Sequence, residues 1–453
     1  MQKLFMLVSV FAVSLPAFAQ TIHVDDNAPA GGAGSVAAPF NSLQAAADAA
    51  ANGNEIRVAG GTYEPVSVNS KEVQLLGGWN SDFTARGAEV STIQGTPAGA
   101  VVTLYEVGNT ILESFVIRGG ERGILIDADF LSTTNKPVIR DNTIEQNGSA
   151  TLVGGGISGI HCEVTITGNT IRNNIASRGP AVGVNCPVIR IEDNVIEGNV
   201  AHDDHSGGLY LTGGHATIRR NMIRNNEVGV VIGYGWGGGV VVFGEGTTAA
   251  FERNVFTGNR ASGGLGAAAF IDDGAVATFS HDLFYANGCG NGAAALYVDG
   301  YDTNVSSRAT LNQVTIAEHN CPETQGTAAS VEAQSTIEFR NSILWNNGGD
   351  DFAADATSTI TATYTLTQEA ISGVGNLSAD PLFADPASGD FHVRSSRGRF
   401  DTVTQGTVTD QVDSPTMDVG DPAAEFLQEP APNGGRVNLG HTGNTLEASL
   451  SPN

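Results

Sequence analysis

A short motif recurs along the middle of the chain: an apolar strand, then Asn-x-Ile, then a second Asn three residues after the Ile. It stands at Asn142-Thr143-Ile144 with Asn147, Asn169-Thr170-Ile171 with Asn174, and Asn194-Val195-Ile196 with Asn199. Asn221-Met222-Ile223 with Asn226 and Asn254-Val255-Phe256 with Asn259 continue it. Weaker copies follow at Asp282-Leu283-Phe284 with Asn287, Val314-Thr315-Ile316 with His319, and Asn341-Ser342-Ile343 with Asn346. From Asn142 to Asp282 the copies are spaced 27, 25, 27, 33 and 28 residues apart. A period of this length means a repeat architecture, because one unit alone cannot bury its apolar face.

Helical repeats are excluded by composition. The chain has 58 Gly, only 15% charged residues, and apolar residues that alternate with polar ones at period two. Each unit therefore reads as one coil of three short strands and three turns. The predicted fold is all-β, a right-handed, single-stranded parallel β-helix. Stacked coils place equivalent residues about 4.8 Å apart, so the asparagines form hydrogen-bonded ladders along the axis and are structural.

Two further patterns support this register. The residue after each Ile runs Glu145, Arg172, Glu197, Arg224, and the residue two before each Asn runs Arg140, Thr167, Glu192, Arg219, Glu252. Opposite charges one coil apart predict ion pairs between neighbouring strands. Cys162 and Cys186 both precede an apolar strand leading to the motif, whereas Cys289 and Cys321 each stand two residues after their coil's second motif position. Stacking brings each pair within disulfide reach, so the bonds Cys162–Cys186 and Cys289–Cys321 are expected. They suit an oxidising compartment.

The ends differ from the repeats. Lys3, the apolar run Leu4 to Leu15, and Ala17-Phe18-Ala19 have the order of a signal peptide over residues 1–19. This predicts a protein secreted to the periplasm, the cell surface or beyond, with no transmembrane segment. Asn41-Ser42 ahead of the Ala-rich run Leu43 to Ala50 reads as an N-capped helix that ends at Gly53 and plugs the first coil. The expected organisation is a cap and first strand over residues 20–65, coils over 66–365, and a final coil, cap and tail over 366–453. The formal charge of −26 argues against nucleic acid and anionic membranes as partners. A polyanionic sugar would need a bridging cation.

The run Pro39-Phe40-Asn41-Ser42-Leu43-Gln44 through Gly60-Gly61-Thr62-Tyr63 resembles the opening segment of pectate-lyase-like right-handed β-helix proteins. Leu75-Leu76-Gly77-Gly78-Trp79 and Thr92-Ile93-Gln94-Gly95 resemble their next coil. The stretch from Asp380-Pro381-Leu382-Phe383 to Gly443-Asn444-Thr445 is similar to bacterial secreted β-helix proteins of the choice-of-anchor type. The resemblance implies the fold; it leaves the chemistry open, because this fold hosts lyases, hydrolases, epimerases and inert surface proteins.

Chemistry on a solenoid is expected in the variable loops. The loops at Ile175 to Gly179, Ala201 to His205, Val228 to Gly239 and Ala261 to Gly264 occupy one slot in successive coils, so they predict a single strip. Arg178, His202, Asp203, Asp204 and His205 are its candidate catalytic groups, for acid–base work on a sugar or for neutralising a uronate. Tyr234 and Trp236 are its candidate ligand-binding groups, offering faces for sugar stacking. The run His202 to His205 is similar to the His/Asp-rich segments of β-helix C5-epimerases, but lacks their Asp-Pro-His. Asp272, Asp273, Asp299 and Asp302 follow strands and offer oxygen ligands to calcium. Asp350-Asp351 reads as a solvated turn, and His281 and His319 as structural replacements in the ladders.

The reading that results is a monomeric, non-catalytic surface or secreted β-helix that contacts extracellular polysaccharide or a neighbouring surface. Its alternatives are a uronate-polymer lyase or C5-epimerase, and an adhesin.

Overall fold

The computed structural model describes residues 20–87, 89–130, 132, 134–203, 205–231, 233–288, 295–300, 305–319 and 327–452. The expected leader at residues 1–19, the expected Cys289–Cys321 bond, Asp204 and Asp302 lie outside these residues.

Three long parallel sheets run the length of the solenoid. The first begins with Thr21–Val24, Glu55–Ala59 and Gln74–Trp79 and ends at Thr359–Thr363. The second runs from Val66–Asn69 to Phe352–Ala354, and the third from Gly61–Tyr63 to Ile343–Trp345. Each coil contributes one strand to each sheet in turn, and every pairing in these sheets is parallel between neighbouring coils. In the third sheet Ile144 pairs with Ile171, Ile171 with Ile196, and Ile196 with Ile223. Like meets like down the axis, so inward side chains form columns of Val, Ile, Leu and Phe with almost no exposure. Where the columns turn aromatic the rings stack: Phe251 on Phe279 with centroids 4.5 Å apart, and Phe256 on Phe284 at 4.7 Å.

The asparagines sit at the bends on either side of the third sheet. Asn199 shows the pattern. Its Nδ2 donates to Ile171 O (3.0 Å), to Glu197 O (3.1 Å) and to Asn226 Oδ1 (2.9 Å). Its Oδ1 accepts from the backbone N–H and the side chain of Asn174, both at 3.0 Å. One side chain thus satisfies backbone groups that a bend would otherwise leave buried and unpaired. Cys162 and Cys186 form the expected disulfide, with Cα atoms 5.0 Å apart.

The charge columns pair largely as expected: Arg172 with Glu145 at 2.7 Å and Arg224 with Glu197 at 2.6 Å. One assignment is corrected. Glu192 pairs with Arg220 (3.4 Å) rather than Arg219, which turns to Glu252 at 3.0 Å. Arg220 has positive φ at the bend, which aims it back at Asp193, 2.7 Å away.

The N-terminal helix, Leu43–Ala49, starts at Ser42, whose side chain accepts from Ala45 N. It buries Leu43, Ala46 and Ala47 over the first coil. Gln44 bonds both backbone groups of Ser67, sealing the free edge of the second sheet. The helix stops at Ala49 rather than at Gly53, because Lys71 Nζ reaches the carbonyls of Ala47 (2.9 Å) and Asp48 (2.8 Å).

At the other end, residues 377–452 fold back along the outside of the third sheet. They carry the antiparallel hairpins Phe383–Asp385 with Asp390–Val393, and Arg399–Asp401 with Gly406–Val408. Leu283, Ile343, Phe383, Phe391, Val393, Met417 and Leu439 form a second core between them and the sheet. Asp351 is not a solvated turn. It is fully buried, accepts from Asn347 Nδ2 (3.1 Å) and Gln368 N (2.9 Å), and ties the last coil to the chain that leaves it. Among the described residues no helix is long and apolar enough to cross a membrane.

Candidate functional site

The loops expected to stack do stack. Ile175–Ala176, Val200–Ala201, Glu227–Val228 and Arg260–Ala261 form a short fourth sheet. Beyond it, bridges join Val153 to Arg178, His205 to Trp236, and Trp236 to Leu265. These loops run beside the outer face of the second sheet and wall one side of it.

Outward side chains on that sheet form two columns. One runs Leu125, Ser158, Gly183, Tyr210, Val241, Phe270, Tyr297. The other runs Ile160, Asn185, Thr212, Phe243, Asp272. Small residues in the earlier coils leave a trough of about 530 Å³, lined by Arg122, Asp127, Ser158, Gly183 and Asn185 and stopped by Tyr210. Gly183 has to be small there: a Cβ would lie 2.7 Å from Gly154 N in the loop above.

From Tyr210 onward an aromatic shelf fills the groove, with Tyr210, Phe270 and Tyr297 buried beneath Trp236, Phe243 and Leu265. Trp236 stacks against Phe270 with centroids 6.2 Å apart, and Phe270 against Tyr297 at 5.4 Å. His205 sits within the shelf, 5.0 Å from Trp236, 5.8 Å from Phe243 and 6.2 Å from Tyr210 between ring centres. Tyr234 meets Trp236 edge-on at 5.5 Å and remains 47% exposed. Arg178 lies 6.0 Å from the Tyr210 ring, at the step between trough and shelf.

Carboxylates border the shelf. Asp272 Oδ2 is 3.9 Å from His205 Nε2. Burial, with Asp272 and Glu332 nearby, pushes the Asp299 carboxyl up to about 6. Burial and Glu332 also raise the Tyr297 hydroxyl well above its ordinary value. The rings of this cluster that reach the surface are Tyr234, Trp236 and Phe243, with Asp272 and Arg178 beside them, a mixture suited to a hydroxylated ring.

Arg178, His205, Tyr234 and Trp236 are therefore brought together. His202 and Asp203 are not. Their backbone N–H groups bond to Ala176 O (2.9 Å) and Ser177 O (3.1 Å), and among the described residues no side-chain bond links them to the shelf. Sequence reading missed Tyr210, Phe243, Phe270 and Tyr297. Their signal was the outward position of successive second-sheet strands, obscured because the preceding loops vary in length. Asp273 turns away at positive φ, its N–H held by Asp272 Oδ1 at 2.7 Å.

The sequence profile of the family described as periplasmic copper-binding protein (NosD) matches residues 66–267. No curated protein matches the chain. Among solved structures, pectate lyase Pel9A aligns with 93% of this chain and 96% of its own, at 14% identity and a TM-score of 0.50. The fold is the right-handed parallel β-helix of the pectate-lyase-like proteins. XylC in complex with xylose aligns with 95% of this chain and 99% of its own, at 10% identity and a TM-score of 0.49. The GH136 lacto-N-biosidase from Eubacterium ramulus covers 76% of this chain and 68% of its own, at 12% identity and 0.47.

Among the described residues, the copper in that family description finds no donor set. Cys162 and Cys186 are consumed by their disulfide, and His205 is packed among rings. Among the described residues no three His, Cys, Asp or Glu side chains converge on a point where they could hold a metal ion.

Proposed function

We propose that the protein works outside the cytoplasm, as a monomer, and holds a polysaccharide along the outer face of the second sheet without cleaving it. The polysaccharide is free or carried on a neighbouring surface. The observation that carries this reading is the trough beside the accessible rings of Tyr234, Trp236 and Phe243, which rest on a buried aromatic cluster. Sugar rings stack on such faces, and the trough beside them gives room for further residues of a chain. The signal-peptide pattern and the match to a family described as periplasmic support the location.

If the polymer is a uronate, the acidity of the chain calls for calcium between sugar carboxylates and Asp272 or Asp299. Chelation would then abolish binding, whereas a neutral polymer would be indifferent to it. Titration of the mature protein with neutral and uronate polymers tests the reading. Saturable binding that Trp236→Ala weakens at least tenfold is expected; no binding to any polymer would refute it.

The second reading, a uronate lyase or C5-epimerase, rests on the contact of His205 with Asp272 and on Arg178 beside Tyr210. That group can exchange a proton and stabilise a carboxylate. Ultraviolet absorbance of an unsaturated product identifies a lyase, and NMR of recovered polymer identifies an epimerase.

A further inference from the structure

A second cavity, of about 510 Å³, lies on a different side of the solenoid, between the third sheet and the C-terminal segment. It shares no lining residue with the trough. Its polar lining includes Arg253 and His281 from the bends of the coils, and His392, Gln428, His441 and Glu447 from the returning segment. Leu283, Phe391 and Leu446 supply apolar surface.

These groups are held in definite roles. His392 is buried, with Nδ1 2.7 Å from Asp390 Oδ1 and Nε2 3.4 Å from Glu447 Oε2. Burial lowers its basicity, but both carboxylates outweigh that, so its pKa lies above the ordinary imidazole value. The contact with His392 in turn keeps Glu447 ionised, as a fixed acceptor at the cavity wall. His441 Nδ1 is 2.9 Å from Thr315 Oγ1, and burial pushes its pKa down to about 3, so it is neutral. His281 Nδ1 lies 2.8 Å from Ser280 Oγ. Its Nε2 is buried against Gln313 and the Gly443 backbone, and burial beside Arg253 lowers its pKa. Among the described residues Arg253 has a single ion-pair contact, 4.0 Å from Glu252, and its side chain is 44% exposed. Exposed apolar residues adjoin the lining: Val403 beside Thr402, Leu427 beside Gln428, and Leu446 itself at 81% exposure.

We propose that this cavity is a second ligand site and takes a single sugar residue bearing a carboxylate, a uronate either free or at the end of a chain. Arg253 receives the carboxylate. Glu447 and Gln428 bond the hydroxyls, and the apolar ring face lies on Leu283 and Leu446. The third sheet and the C-terminal segment bound the cavity on two sides and set the size at one residue, and the Arg253 guanidinium sets the charge. The inference does not depend on the reading of the groove.

Calorimetric titration with galacturonate, glucuronate, mannuronate, galactose and trigalacturonate tests it on the mature wild-type protein, Arg253→Gln and Trp236→Ala, with folding checked by thermal melts. At least one uronate should bind at least tenfold more tightly than galactose. Arg253→Gln should remove that preference, and Trp236→Ala should leave it unchanged. A trimer that binds as tightly as the monomer identifies a chain end as a source, and a weaker trimer identifies the free acid. Failure of all three uronates would overturn the proposal, as would equal binding of galactose or loss in Trp236→Ala but not in Arg253→Gln. Polymer binding to the groove would survive each of those outcomes.

Discussion

The outer faces of the second and third sheets are built on the same coils, yet they are covered by different parts of the chain. On the third sheet the outward positions of the earlier coils are charged, Glu145, Arg172, Glu197 and Arg224, and face solvent as ion pairs. In the later coils the same column becomes Thr257, Tyr285, Ala317 and Trp345, beside Leu283 and Ile343. The C-terminal segment covers that apolar half. On the second sheet the outward column also turns apolar, at Tyr210, Phe270 and Tyr297, and there Trp236, Phe243 and Leu265 pack over it and leave it buried. An apolar outer column is thus covered in both places, by the returning C-terminal segment on one sheet and by side chains of the stacked loops and strands on the other, where Tyr234, Trp236 and Phe243 keep part of their rings at the surface.

The largest expected effect breaks the seam under the C-terminal segment. Ile343, 1% exposed, lies in the second core. Ile343→Asp should cost about 3–5 kcal/mol by burying an unpaired charge. Limited proteolysis should then release the C-terminal segment while the coils stay folded.

Asp282 sharpens the comparison beneath the covered half, where a carboxylate replaces the ladder asparagine. Its Oδ1 accepts from Asn254 N (2.7 Å) and Nδ2 (2.8 Å), and burial pushes it up to about 7. A carboxyl whose folded pKa exceeds its unfolded value of 3.8 binds a proton that the unfolded chain releases. Stability from this group is therefore full below about pH 4, falls as pH rises to about 7, and is flat above. Asp351, also pushed up to about 7, acts the same way. Asp282→Asn should flatten part of that slope and gain about 1–3 kcal/mol at pH 8, read from denaturation across pH.

On the second-sheet face, Trp236→Ala should weaken polymer binding at least tenfold, about 1.4 kcal/mol, and lower the melting temperature as well, because Trp236 packs over the buried Phe270 ring. The smallest effect belongs to the solvated half of the third sheet. Arg172→Gln breaks the 2.7 Å pair with Glu145, and should cost no more than about 0.5 kcal/mol in denaturant titrations.

The parts legible in the sequence are those with strict period. Asn142 to Asn287 announced the ladders, Glu145 to Arg224 the register, and the positions of Cys162 and Cys186 their bond. The copies from Asp282 onward looked weak because Leu283, Tyr285 and Trp345 answer to the C-terminal segment instead of to solvent. His281 was read as the ladder residue, but Asp282 takes that place and His281 points to the cavity. His319 does occupy the ladder, with Nδ1 3.0 Å from Asn287 N, and burial lowers its pKa to about 4. The cavity itself was invisible because its walls are far apart in the chain: His441 bonds Thr315 across 126 residues. The shelf was half visible, since His205, Tyr234 and Trp236 stand in loops that break the pattern. Phe243 and Phe270 sit in strands that keep it.

Amide hydrogen exchange of the mature protein, with and without a polymer it binds, tests the second-sheet account most directly. Protection should appear in the Ser177–Asp203 and Gly233–Leu265 loops and along the second-sheet strands from Leu209 to Val298, with the third sheet unchanged. Protection confined to the C-terminal segment, or absent from the second-sheet face, would contradict it.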